Sequence, residues 1–109
     1  MYSTGMTFKL KSGCYPEYKK AHDELWPDMV EALNANEVNM VIHHYHDRLF
    51  LYATAPSQEH MERSHQGPVA DRWGEYMATL MDTDDEGKAI VEDLEEAFAI
   101  GVFKIESPN

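Results

Sequence analysis

A ferredoxin-like α+β fold, β-α-β-β-α-β with one antiparallel sheet, is what this sequence predicts, on three observations. Strand-like segments stand at both ends, "MTFKL" at 6–10 and "AFAIGVFKI" at 97–105. Two long stretches carry helical apolar spacing. Between them "NMVIHHYH" and "LFLYATA", rich in β-branched and aromatic residues, read as a hairpin. The 109 residues suit a single domain spanning 1–109, because two cores of half that size would bury too little surface.

Each element has its own signal. In "MTFKL" Met6, Phe8 and Leu10 alternate onto one side, the mark of a half-buried strand. "KSGCYP" supplies the Gly and Pro of a turn. Helical spacing then runs over 16–34, and Pro27 predicts a kink or break near Trp26. The hairpin strands flank Asp47-Arg48. "PSQEHMERSHQG" is helical in character, with breaks at Gly67 and Pro68. "VADRWGEYMATLM" places Val69, Trp73, Tyr76, Met77 and Leu80 on one helix face. "DTDDEGKAIVEDLEE" reads as a solvated acidic loop, and "AFAIGVFKI" as the closing strand.

Four strands with both helices on one face leave the other face bare. Met6, Phe8 and the closing strand offer more apolar surface than a monomer exposes, so a homodimer packed sheet to sheet, a dimeric α/β-barrel type assembly, is expected.

Composition narrows the partners. The net charge is −11, from 20 acidic and 9 basic residues, which excludes nucleic acid and anionic membrane surfaces as partners. The same charge disfavours strongly anionic substrates and leaves a small neutral ligand. No apolar run approaches the roughly 18 residues that span a bilayer, and no basic-then-apolar leader is visible, so a cytoplasmic protein is expected. A single cysteine, Cys14, admits no internal disulfide and agrees with a reducing compartment. It has no triad partner at a recognisable spacing, so it is not read as a catalytic thiol.

The first helix carries an unusual passenger. On a helical wheel Tyr15, Tyr18, His22, Leu25, Trp26, Met29 and Leu33 fall within an arc of about 100°, with Lys20, Asp23, Glu24, Glu31 and Asn34 opposite. His22 therefore faces inward, between Tyr18 at i−4 and Trp26 at i+4. One reading is a core histidine that donates a ring N–H to a carbonyl. The other is a general acid/base at a pocket floored by the sheet, since imidazole titrates near neutrality. Tyr18 and Trp26 supply a hydroxyl and an aromatic face, a mix that suits a sugar.

Other histidines carry less. In "HHYH", 43–46, strand alternation puts His44 and His46 on one face and His43 with Tyr45 on the other, so no metal site is expected. His44 shares its face with Met40 and Ile42 and is a candidate ligand contact. His60 and His65 are expected to meet solvent. The acidic run 82–86 lacks the spaced ligands of a calcium loop. Trp73 on its amphipathic helix reads as core.

Glu17-Tyr18, His22 and Trp26-Pro27 together resemble the signature of the L-rhamnose mutarotase family. The likeness extends to "NMVIHHY" followed by Leu49-Phe50, to Arg72-Trp73 with Tyr76-Met77, and to "LEEAF" at 94–98. The resemblance implies a small dimeric ferredoxin-like isomerase that interconverts the α and β anomers of a free aldose. It implies that His22 is the proton donor and that Tyr18 and Trp73 contact the sugar. The chain departs from the family pattern at Trp73-Gly74, where a Trp-Trp pair is usual, at Met40, often a tyrosine, and in "TDDEGKAIV". The expected substrate is therefore L-rhamnose or a related deoxy-sugar.

Mutarotation removes the O1 proton of a hemiacetal, protonates the ring oxygen, rotates C1–C2 and recloses the ring, with no cofactor or metal required. His22 suits the acid at the ring oxygen; the partner at O1 stays open between Tyr18, water and a further group. A non-catalytic ligand-binding module and a cofactor-independent monooxygenase are alternatives on the same scaffold.

Overall fold

The computed structural model describes residues 1–103. The elements run β1 (Tyr2–Lys9), α1 (Tyr15–Asp23), α2 (Pro27–Ala35), β2 (Asn39–Tyr45), β3 (Arg48–Ala55), α3 (Gln58–Ser64), α4 (Pro68–Leu80) and β4 (Val91–Asp93), then a 3₁₀ turn over Gly101–Phe103. The sheet is antiparallel in the order β2-β3-β1-β4. That is the arrangement expected of a β-α-β-β-α-β chain, with each long helical stretch in two pieces. Among the described residues no helix is long and apolar enough to cross a membrane.

The break in the first helix lies where Pro27 predicts it. Trp26 takes an extended ψ of 134°, as a residue before proline prefers, and Pro27 opens α2 where its missing N–H is not needed. The hairpin turn is His46-Asp47, one residue earlier than the sequence suggests. His46 stands at φ 55°, the left-handed conformation that tight hairpins use, and Tyr45 pairs with Arg48. His46 therefore leaves the strand, so it does not share a face with His44.

The closing strand differs more. It is β4, at Val91–Asp93, pairing with Met6–Phe8, and not the apolar stretch 97–105. After α4 a Leu10–Met81 bridge holds the chain beside β1. The Asp84 carboxylate then accepts from the Glu86 and Lys88 N–H groups and folds a tight turn. The chain so delivered meets the free edge of β1 at once, and edge hydrogen bonds outrank strand propensity further along. Residues 94–100 form no strand, and Lys104 and Ile105 of the expected strand lie outside the described residues.

Register assigns the two faces of the sheet. Phe8, Leu10 and Leu49 point to the helices and join Tyr18, Met77, Leu80 and Met81 in the main core. Val41, His43, Tyr45, Phe50 and Tyr52 alternate onto the outer face. Met6 and Phe8 therefore belong to the helix-covered side, which corrects the expectation that they stand on the bare face. The exposed apolar surface there comes from β2, β3 and, as expected of the C-terminal apolar stretch, from Leu94, Phe98 and Ile100 after β4.

Candidate active site

A cavity of about 450 Å³ opens between α1, α2 and the helix-facing side of β2. Tyr18 and His22 line it from α1, Leu33 and Asn34 from α2, and Met40 and His44 from β2. The helix breaks after Asp23, and side chains of both pieces, α1 and α2, line the cavity over β2. The wall is apolar at Leu25, Val30, Ile42 and Leu49 and polar at Lys19, Asp23 and Asn34. That division offers an apolar ring face one side and hydroxyls the other.

His22 is half-buried, and its Nδ1–H donates to the Tyr18 carbonyl at 2.9 Å. An N–H on Nδ1 leaves Nε2 with its lone pair in the neutral ring. Burial penalises the imidazolium and holds the pKa below the usual 6.5, only partly offset by the Tyr18 carbonyl and the nearby Asp23. Near neutrality His22 is thus a neutral base. The Tyr18 ring lies 4.2 Å from the imidazole, and its buried phenol is pushed well above the ordinary tyrosine range, so it stays protonated.

His44 is fixed differently. Its ring stacks on Tyr15 at 3.5 Å with an interplanar angle of 5°, one wall of the cavity touching the other. His43 sits on the outer face beside Phe50. Among the described residues no three of His, Cys, Asp and Glu converge as a metal site. His65 is exposed, as expected, whereas His60 is half-buried against the Ser57 hydroxyl.

The indoles are brought to His22 from behind. Trp73 meets its edge at 5.1 Å, Trp26 meets Trp73 at 5.0 Å, and Tyr76 stacks on Trp26 and donates to Glu17. Neither Trp26 nor Trp73 lines the cavity; they wedge α1 against α4. Asp23 and Asn34, placed on the far side by the wheel, do line it. The wheel assumes one continuous helix, and the break at Trp26 removes that assumption for Asn34. Asp23 reaches the exposed rim, paired with Lys19 at 2.9 Å. No sequence signal marks that pair beyond its i,i+4 spacing.

The comparisons with known proteins bear on this arrangement. A family model described as L-rhamnose mutarotase matches residues 3–100. The L-rhamnose mutarotase of Bacillus subtilis is 36% identical over 91 residues, covering 77% of this chain and 84% of that protein. The one from Shouchella clausii is 31% identical over 105 residues, 90% of this chain and 97% of that protein. A crystal structure of L-rhamnose mutarotase from Formosa agariphila superposes with a TM-score of 0.77 over 93% of this chain and 100% of that one, at 23% identity, a likeness of fold. The match takes in the sheet, the broken first helix and the α4 aromatics alike, and the chain belongs to the L-rhamnose mutarotase family.

Proposed function

We propose that this chain interconverts the α and β anomers of L-rhamnose, or of a closely related deoxy-sugar, as a cofactor-independent isomerase. The observation that carries the reading is His22: a neutral imidazole with Nε2 unprotonated, on the wall of a cavity within the usual range for small-molecule sites. Nε2 takes the O1 proton as the ring opens and returns it as the ring closes on the other face of the aldehyde. One nitrogen is thus base in one direction and donor in the other, as microscopic reversibility requires. Tyr18 and His44 contact the sugar across the cavity. Trp73 packs against the imidazole edge from behind and Trp26 braces Trp73, so the two indoles position His22 and do not themselves line the cavity. The acidic chain repels no neutral sugar, and a cytoplasmic setting fits a free aldose as substrate.

The active unit in this reading is a homodimer. Val41, Tyr45 and Phe50 are 46%, 68% and 37% exposed on the outer face, and Phe98 and Ile100 of the following segment are 78% and 70% exposed. A groove of about 720 Å³ runs between that segment and the strands. A second copy of the same sheet supplies matching apolar cover.

Exchange NMR on free L-rhamnose tests the activity. Wild-type protein is expected to speed transfer of saturation between the two anomeric protons well above the uncatalysed rate. Gly74, exposed with open space around it where the family pattern has a second tryptophan, favours a binding module as the second reading. Sugar contact without faster exchange would select that module, and absence of both would overturn the sugar reading.

A further inference from the structure

We infer that His44 is the second proton-transfer group of the site, exchanging a proton with the ring oxygen while His22 exchanges one with O1. The inference rests on the anomer-exchange reading above. Opening a hemiacetal moves protons at two oxygens of one carbon, which calls for two proton-transfer groups lining one cavity. The cavity has two imidazoles so placed, His22 on α1 and His44 on β2. One device holds both: each ring lies on a tyrosine of α1, Tyr18 at 4.2 Å and Tyr15 at 3.5 Å, about one helical turn apart. Strand register keeps His44 on the cavity side with Met40 and Ile42, paired with Leu49 of β3.

The other titratable groups facing this space are poorer partners. Tyr18 keeps its proton because burial raises the cost of the phenolate. Tyr15 presents its ring face to His44. Lys19 and Asp23 are bound to each other at the exposed rim. Asn34 has no proton to transfer.

The step balances. Nε2 of His22 removes the O1 proton, the O1–H pair becomes the second C1–O1 bond, and C1–O5 breaks with its pair on O5. O5 takes a proton from the His44 imidazolium. After rotation about C1–C2 the hydroxyl at O5 attacks the other face of C1, returns its proton to His44, and O1 recovers its proton from His22. Neither imidazole changes net state over the cycle.

Anomer-exchange kinetics of wild type, His44→Gln and His44→Ala decide it. His44→Gln is expected to lower kcat by about 10²-fold with KM little changed. Added imidazole is expected to restore part of kcat in His44→Ala. A raised KM with kcat unchanged would make His44 a binding contact only and overturn the role. Unchanged kinetics would remove His44 from the site. A wild-type protein that binds the sugar without speeding exchange would overturn the parent reading, and this one with it.

Discussion

The two faces of the sheet come from the same central strands and differ almost wholly in what covers them. On the helix side Phe8, Leu10 and Leu49 are 5%, 1% and 1% exposed. On the outer side Phe50, the immediate neighbour of Leu49, is 37% exposed, and Tyr45 more so. Alternation puts neighbours on opposite sides, and topology decides which side receives helices. The lesson is a division of labour. The covered face holds the fold together and, where the first helix breaks into α1 and α2, leaves the cavity; the outer face keeps apolar side chains exposed.

Breaking the covered face at His22 should have the largest effect. His22→Ala is expected to lose about 10²–10⁴-fold in anomer-exchange kcat, the usual worth of one positioned proton transfer. Circular dichroism should stay native, because the ring is half-buried and hydrogen-bonded only to its own helix. A kcat close to wild type would take His22 out of the chemistry.

Truncating Leu49 sharpens the contrast with its neighbour. Leu49→Ala leaves a cavity under α1 and α4 and is expected to cost about 2–5 kcal/mol of stability by denaturant titration. Phe50→Asp should leave the helix-face packing and the fold intact, yet split the proposed dimer in sedimentation equilibrium, since a carboxylate would be buried unpaired between two sheets. A Phe50→Asp protein of unchanged mass in solution would move the subunit contact elsewhere.

The smallest effect is the pH dependence of stability. The folded-state pKa of His22 lies below its unfolded value of 6.5. As pH falls through the interval between them the unfolded chain takes up a proton that burial denies the folded one, and stability declines. Above that interval the contribution is constant. His22→Gln should flatten this part of the Tm-against-pH curve, measured by calorimetry side by side with wild type. An identical slope would place the titration on another group.

Much of this was legible in the residues themselves. Met6, Phe8 and Leu10 announce a strand, Pro27 a break, and the i, i+4, i+7 spacing from Val69 the α4 helix; all are local patterns, and the break and α4 formed where read, while the strand begins four residues earlier, at Tyr2, and ends at Lys9. The site was half legible. His22 on an inward face beside Tyr18 follows from periodicity, but its place on a cavity wall follows from the angle between α1 and α2. The seclusion of Trp26 and Trp73 behind it follows from how α4 crosses α1. No single-residue signal carries either angle.

Local stereochemistry, read without any coordinates, determined the element types, the helix break, the inward histidine and, through the Glu17-Tyr18, His22 and Trp26-Pro27 pattern, the family. The tertiary structure alone decided that β4 forms at Val91–Asp93, that Met6 and Phe8 face the helices, and that Nδ1 of His22 points at the Tyr18 carbonyl with His44 across the cavity. The first group depends on neighbours within a turn of helix or a pleat of strand. The second depends on which edge is free and which surface is covered when distant segments meet, and those are properties of the packed chain.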